Sequence, residues 1–347
     1  MLKSRKNRVA GLLILSIALS LLLSGCSLGK STPETAWLVV ATSQEMLDSG
    51  VTEAVTAEFE ATYHARIKWL AVSSCTALNY ISQDSRIDVL LVSSGAELER
   101  SLEPNHDFCK TTASPLLTNS NNGLAPAAPT LPPFDAPYLT ATPVGTFNAV
   151  LPTPTALDVK YLLAERQTIF WEPLVLVGPP NDPLHLANTA TISKAFKTIA
   201  EQQASFLVAG QEPSLLDLEE VWWNQVGYSD RAARGKNYQI FDGTYPATLA
   251  LADKNKAYTV VPLNVFLTSH QSDKSEIIFS KDVSMFLPYE TLIHNSTRCG
   301  DCDLLLARQF VNYLLESPTQ AKILSLGKSS FKQAFFLQPD YRVYRPR

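Results

Sequence analysis

The chain has 347 residues, of which 46% are hydrophobic and 18% charged, and its 29 basic and 33 acidic side chains give a net charge of −4. This acidic balance repels nucleic acid and anionic lipid at long range, so neither is expected as a partner. The length exceeds what one hydrophobic core usually serves, which predicts two lobes.

The first 26 residues have the pattern of an export signal. A basic start, MLKSRKNR, precedes the apolar run VAGLLILSIALSLLLSG, and the run ends at Cys26. The run is too short for a comfortable membrane span, which is typical of a secretory signal peptide. Its end, LSGC, resembles a bacterial lipoprotein box and predicts that Cys26 becomes lipid-modified and N-terminal after cleavage. A plain signal-anchor helix that happens to contain Cys26 is the alternative.

Residues 27–36 follow as a polar linker between the lipid anchor and the folded part. Loss of the signal peptide removes four basic residues, which leaves 29 − 4 = 25 basic residues against 33 acidic ones, a charge of −8. An anionic ligand would therefore have to be held by local dipoles and hydroxyl groups rather than by the overall field. The predicted location is the extracytoplasmic face of the cell membrane.

Four further cysteines remain in the exported part, and an even number outside the cytoplasm favours disulfides. The preferred pairing joins Cys299 to Cys302 and Cys75 to Cys109. The CxxC pattern in RCGDCD is alternatively a redox pair with a lowered thiol pKa.

Strands and helices alternate from Trp37 onward. The apolar runs WLVVA, IKWLAV and IDVLLV predict three strands, and the last is continuous enough to be buried on both faces. Apolar residues recur at helical spacing between these runs: Val51, Val55, Phe59, Ala77, Leu78 and Ile81. Strand, helix, strand, helix, strand is the beginning of a doubly wound α/β fold.

Residues 103–168 interrupt this pattern with a segment rich in proline, threonine and asparagine. Proline lacks the backbone N–H and restricts the residue before it, which excludes a long helix. A surface insertion is predicted, partly strand-like or in polyproline conformation. A binding role through Phe134, Tyr138 and Phe147 is the alternative.

The α/β pattern then resumes. FWEPLVLVGPPNDP predicts a buried strand over Leu174–Val177, and a helix over 191–203 follows. FLVAGQEPSLLDLEEVWW predicts a strand, a glycine turn and a helix capped by Ser214 and Asp217, with Trp222 facing inward and Trp223 undecided. Glu219 and Glu220 would lie on its solvated face.

Downstream, YQIFDGTYPATLALADKNKAYTVVPLNVFL predicts a strand, a turn, a helix and a strand. Two C-terminal helices are expected, the first over 303–316. The second would have Ser317 as its N-cap and Pro318 at its first position, and would end at Gly327.

This order of motifs resembles the tungstate-binding branch of the periplasmic oxyanion-binding proteins, the receptors of ABC importers. The resemblance extends over most of residues 37–340 and is carried by DSGV, AVSSCTALNYISQDSRIDVLLV, WEPLVLVGPPNDP, AFKTIAEQQASFLVAG and ATLALADKNKAYTVV. It implies a two-lobed α/β fold of the type II periplasmic-binding-protein kind, with two doubly wound sheets joined by a two-strand hinge. Lobe 1 would comprise 37–170 and 266–347, and lobe 2 would comprise 171–265.

The resemblance also implies a ligand site in the cleft. The matching positions, all of which carry a hydroxyl group, are Thr42, Ser43, Ser73, Ser74, Ser214 and Tyr245. The family's charged motifs in lobe 2 fall on Ala209, Leu216 and Leu263, none of which is charged. A charge-assisted hydrogen bond is worth about 1.5–3 kcal/mol, so tight tungstate binding is not expected.

Structural roles compete with binding at several of these positions. Thr42, Ser43 and Ser74 would equally serve as ordinary cap or turn residues, and Ser214, with Asp217 as its partner, is favoured as a helix cap. Tyr245 replaces a small residue of the family, so it would either fill the old pocket or contact a bulkier, less charged ligand.

Together these features predict a lipid-anchored solute-binding protein of an ABC importer, with a small-molecule or anion ligand of altered identity and an ABC permease as partner. The alternative is a sensor or interaction lipoprotein that uses the same scaffold without transport. The sequence shows no nucleophile–base constellation, no phosphate-binding loop and no metal-ligand spacing among its histidines. No enzymatic activity, cofactor or metal is therefore predicted.

Overall fold

The computed structural model describes residues 35–72, 77, 81, 86–94, 163–269, 275–294 and 299–340. The predictions for the signal peptide and Cys26, for Ser73, Ser74, Cys75 and Cys109, and for most of the proline-rich insertion lie outside these residues. Within them, no helix is both long enough and apolar enough to cross a membrane. Trp37–Arg347 form one compact unit.

The elements alternate between strands and helices along the chain. The described strands are β1 (Ala36–Thr42), β2 (Ala65–Ala71), β3 (Val89–Ser93), β4 (Leu163–Gly178), β5 (Phe206–Ala209), β6 (Tyr238–Phe241), β7 (Tyr258–Pro262), β8 (Glu276–Phe279) and β9 (Phe286–His294). The described helices are α1 (Gln44–Asp48), α2 (Val51–Tyr63), α3 (Ile192–Glu201), α4 (Pro213–Asn224), α5 (Tyr245–Asn255), α6 (Leu263–Ser269), α7 (Leu304–Leu315), α8 (Ser317–Ile323) and α9 (Lys328–Phe331).

The strands lie in the order β2-β1-β3-β9-β4-β7-β5-β6, with β8 beside β4. The pairs β1–β3, β5–β6 and β5–β7 are parallel, whereas β9 and β4 run antiparallel to their neighbours. The 16-residue β4 pairs with β9 along its first part and with β7 and β8 at its end. Strand β4 and the segment from β8 to β9 therefore connect the two halves of the sheet, and the predicted α/β class with a two-strand connection is confirmed.

Each half of the sheet has its own core. The first lobe packs α2 and α7 against β1, β3 and β9 around Phe59 and Phe310, whose rings meet edge to face. The second lobe packs α3 and α4 around Phe196, Phe206 and Trp223.

The second core reaches further along the chain than predicted. It includes Phe266, Ile278, Phe279, Met285 and Leu287, all of which the sequence analysis assigns to lobe 1. The reason is that β8 pairs with the end of β4, which brings residues after 265 back onto the second lobe.

Other boundaries also differ from the predictions. β4 begins at Leu163, inside the segment taken as an insertion, and α6 lies where the end of a strand was expected. Ser317 is the first residue of α8 rather than its N-cap, which is Glu316. Gly327, at a φ of 82°, precedes α9 instead of ending α8.

Helix α4 contains a buried acid that the sequence analysis placed on a solvated face. Trp222 and Trp223 are both fully buried, and Glu219 is only 2% exposed. The Trp223 indole N–H donates to the Glu219 carboxyl group at 2.5 Å. The prediction for Glu219 is therefore wrong, because a tryptophan one turn away provides a buried partner for its carboxyl group.

Candidate functional site

The first lobe contributes the junction between β1 and α1. Thr42 ends β1 with a fully buried side chain, and its hydroxyl oxygen has no hydrogen-bond partner in the part of the chain that the structure describes. Ser43 is the N-cap of α1 and accepts a hydrogen bond from the Met46 N–H at 3.3 Å. The Ser43 hydroxyl also lies 3.4 Å from the phenol oxygen of Tyr289 on β9, so it faces the interior of the protein.

The two lobes meet at a pair of serines. The Ser93 hydroxyl, at the end of β3, donates to the Ser214 hydroxyl at 3.0 Å, and the Ser214 hydroxyl lies 3.2 Å from the Ser93 carbonyl oxygen. The predicted capping role of Ser214 is wrong, because the N-cap of α4 is Glu212, two residues earlier. Ser214 instead contacts Ser93 of the first lobe.

Tyr245 and Tyr289 line the same region from opposite lobes. Tyr245 begins α5 and is 4% exposed, while the Tyr289 ring stacks on Phe170 at 5.3 Å between centroids. Burial raises the pKa of both phenols well above the usual range, and nearby carboxyl groups raise it further. Both tyrosines therefore stay protonated and serve as hydrogen-bond donors.

Three glutamates, which we call the glutamate cluster, lie among these phenols: Glu45, Glu172 and Glu212. Glu45 is in the first turn of α1, Glu172 is near the middle of β4, and Glu212 is the N-cap of α4. The carboxyl groups of Glu45 and Glu212 share a hydrogen bond between the lobes. The cluster thus lies where the two lobes face each other.

Glu172 is the most deeply buried member, at 1% exposure. It accepts a hydrogen bond from the Asn264 side chain, whose own carbonyl oxygen accepts from the Val265 N–H at 2.8 Å. The other carboxyl oxygen of Glu172, Oε1, is buried and finds no hydrogen-bond partner within the described ranges.

Burial and the charge of neighbouring carboxyl groups raise the pKa values of two glutamates in the cluster. Burial, and then the charge of Glu45, raise the pKa of Glu172 to about 8. Burial also raises the pKa of Glu212 well above the usual range, with smaller contributions from Glu45 and Glu172. The neighbours that shift these values most are carboxyl groups and an amide, and none of them is a lysine or arginine. At neutral pH these two side chains therefore hold protons unless a cation replaces them.

The structure brings together four of the six predicted ligand residues: Thr42, Ser43, Ser214 and Tyr245. Sequence reasoning missed the glutamate cluster together with Tyr289, Asn264 and Ser93. Only Glu45 had a local signal, because it follows the hydroxyl pair Thr42–Ser43 directly after a buried strand. Glu172 and Glu212 are distant in sequence, and only the fold brings them close to Glu45.

Cys299 and Cys302 form a close pair in the structure, with their Cα atoms 5.3 Å apart. The buried His294 ring lies 3.6 Å from the Cys302 sulfur and 3.0 Å from the Ile87 carbonyl oxygen. Both cysteines lie in the connection between β9 and α7, so the pair closes a short loop at that end of the first lobe.

Comparison with known proteins places this geometry in context. No family model matches the chain. It is 23% identical over 340 residues to the tungstate-binding protein TupA of Peptoclostridium acidaminophilum, covering 95% of this chain and 98% of the relative.

Two solved structures share the fold. The tungstate ABC transporter protein from Geobacter sulfurreducens is 18% identical, with 83% of this chain and 97% of that chain covered and a TM-score of 0.60. TupA from Desulfovibrio alaskensis G20 is also 18% identical, with 88% and 99% covered and a TM-score of 0.59. These relatives are binding proteins and not enzymes. The chain is therefore similar to the tungstate-binding protein TupA over nearly its whole length, and it has the two-lobed type II fold of these solved structures.

Proposed function

We propose that this protein is the lipid-anchored, extracytoplasmic receptor of an ABC importer, and that its cleft takes a ligand other than tungstate. The relatives named above support the receptor role, and the two facing lobes provide the cleft. The lipid anchor rests on Cys26 and the LSGC sequence before it.

The glutamate cluster is the observation that carries the altered specificity. An oxyanion needs hydrogen-bond donors and positive charge, and each missing charge-assisted hydrogen bond costs about 1.5–3 kcal/mol. Here the lobes instead present Glu45, Glu172 and Glu212 to each other. Carboxylates would repel tungstate, and protonated carboxyl groups would replace only part of the lost attraction.

The test is a thermal-shift and calorimetric screen of the protein from Ser27 onward. Tungstate, molybdate, sulfate and phosphate at micromolar concentrations are expected to leave the melting temperature unchanged. A bound solute at 100 times its Kd adds about 2.7 kcal/mol to stability, which is readily detected. A shift with micromolar tungstate would contradict the proposal.

The anchor is tested separately in cells that produce the full chain. The Cys26→Ser variant is expected to lose incorporation of labelled fatty acid and to leave the membrane fraction, because the lipid is attached at that sulfur. Retention of Cys26→Ser in the membrane would favour the signal-anchor alternative.

One observation favours the non-transport alternative, a sensor or interaction lipoprotein. Glu45 and Glu212 hydrogen-bond to each other between the lobes, so side chains of the protein occupy part of the cleft. If neither oxyanions nor small organic solutes bind, this scaffold function becomes the better account of the protein.

A further inference from the structure

We propose that the ligand of this cleft is an organic cation carrying one or more primary ammonium groups, held by the glutamate cluster together with Thr42, Ser43 and the two tyrosines. The inference rests on the proposed receptor function and names the chemical class of its ligand.

The charge of the site favours a cation. Buried carboxyl groups are normally paired with a cation or a metal. Glu172 is 1% exposed and Glu45 is 8% exposed, and the neighbours that dominate the electrostatics of the cluster are further carboxyl groups and phenols. Among the described residues, the groups that act most strongly on the cluster therefore include no positive charge that would balance it, and a cationic ligand supplies that charge.

Two buried acceptor oxygens of the site are unpaired among the described residues. Glu172 Oε1 and Thr42 Oγ1 are both buried, and neither has a hydrogen-bond partner among the described residues. The strand register places Thr42 beside Leu91 and Ser93 beside Tyr289, which puts Thr42 and Tyr289 on the same face of the sheet. An ammonium group has three donors and no acceptor, so it matches a site with unused oxygen acceptors.

The arrangement of the side chains favours an organic ammonium group over a bare metal ion. Within the described residues, one group of three side chains could hold a metal ion: His294, Cys299 and Cys302. Their ligand atoms all lie within 4.8 Å of one another. The two sulfurs already form a close pair. The three glutamates are spread more widely, over α1, β4 and α4, which suits a ligand longer than a single ion. Tyr245 and Tyr289 add aromatic rings, which favour ammonium groups through cation–π attraction.

The predicted pH dependence of binding distinguishes a cation from an anion. A cation binds best when the carboxyl groups are ionised, so binding at neutral pH must release protons. Diamine affinity is therefore expected to rise by up to tenfold per pH unit from pH 6 to about 8 for each proton released. An anionic ligand would show the opposite slope.

The experiment uses four-carbon probes that differ in charge, measured by calorimetry on the protein from Ser27 onward. The probes are 1,4-diaminobutane, butylamine, 1,4-butanediol and succinate, with tungstate and the chlorides of magnesium, calcium, manganese and zinc as further arms.

Binding of the amines, with the diol and succinate at least tenfold weaker, is the expected result. Stronger binding of succinate, the diol or a metal ion than of every amine would overturn the proposal while leaving a receptor. Absence of binding by all probes and by the solute screen would overturn the receptor function as well.

Variants then locate the site. Glu172→Gln and Glu212→Gln are each expected to weaken diamine binding at least tenfold and to reduce the number of protons released. Glu219→Gln is the matched control, because it makes the same change at another buried glutamate that is bonded to Trp223 and lies outside the cluster. Unchanged diamine affinity and proton release in both cluster variants would place the amine elsewhere.

Discussion

At the scale of single residues, Glu172 has the strongest consequence for the behaviour of the protein. Its carboxyl group is almost completely buried on β4, with one oxygen bonded to Asn264 and the other unpaired within the described part of the chain. Keeping such a group charged is costly, so the folded protein holds the proton to a much higher pH than the unfolded chain does.

This difference predicts a pH-dependent stability in the absence of a cation. The pKa of Glu172 is about 8 when folded and about 4.3 when unfolded, so the folded state binds more protons between these values. The resulting stabilisation is complete below the lower pKa and is lost as the pH rises through the upper one. Stability is expected to fall between pH 5.5 and 8, by about 1.4 kcal/mol per pH unit for this one group.

Urea denaturation at several pH values measures this slope for the wild type and for Glu172→Gln, whose amide does not titrate. The stability of the variant should fall less steeply with pH, by about 1.4 kcal/mol per pH unit, which is the contribution of this one group. Glu165→Gln is the control, because Arg308 lowers the pKa of that exposed carboxyl and it stays ionised over the whole window. Equal slopes in wild type and Glu172→Gln would show that Glu172 titrates normally.

The sequence predicts the hydroxyl part of the site better than the acidic part. Thr42 and Ser43 follow a strongly apolar strand, so their position at a strand end is readable from local pattern. Glu172 and Glu212 each stand beside a proline, in a sequence typical of an exposed turn or cap. Their burial depends on contacts with residues more than a hundred positions away, which no local pattern contains.

At the scale of elements, the second lobe depends on one buried arginine. The Arg234 side chain is fully buried and packs its guanidinium over the rings of Trp223 and Tyr238, at 5.4 and 5.2 Å from their centroids. It donates to the Tyr228 carbonyl oxygen and the Tyr238 phenol oxygen, each at 3.1 Å, and forms an ion pair with Glu220. It therefore links α4 to β6.

We expect Arg234→Met to destabilise the protein by about 3 kcal/mol, because it leaves buried acceptors without a donor. Arg231→Met is the matched control: Arg231 pairs with the same Glu220 but is 43% exposed, so its loss should cost about 0–1 kcal/mol. Urea denaturation compares the two variants. Equal losses would mean that Glu220, and not the buried network, carries the effect.

Element types were predicted more reliably than element limits. β1 and β3 are continuous apolar runs, β2 is mostly apolar despite Arg66 and Lys68, and α3 has a clear apolar stripe, so local pattern identifies both kinds of element. The start of β4 was missed because Leu163–Thr168 contains Glu165 and Arg166 and belongs to a strand that pairs with β9. α6 was missed because its Leu, Val and Phe residues also fit a strand.

At the scale of the whole molecule, the two lobes are in direct contact through their polar groups. The Ser93 hydroxyl group donates a hydrogen bond to the Ser214 hydroxyl group on one side of the cleft. The carboxyl groups of Glu45 and Glu212 share a hydrogen bond near it. Exchange of a ligand held between these groups requires the contacts to break. The β4 strand and the segment from β8 to β9 are the connections available for such a motion, since both cross from one half of the sheet to the other.

A disulfide between the lobes tests this requirement. The hydroxyl oxygens of Ser93 and Ser214 are 3.0 Å apart, so cysteines at both positions place their sulfurs close enough to bond after small adjustments. Oxidised Ser93→Cys/Ser214→Cys protein is expected to exchange bound diamine at least tenfold more slowly than the same protein after reduction. Stopped-flow displacement measures the rate, and mass spectrometry confirms the bond. Ser93→Ala/Ser214→Ala, which removes the contact without a crosslink, should exchange as fast as the reduced protein or faster. Equal rates in the oxidised and reduced forms would mean that the ligand enters and leaves without separation of the lobes at this pair.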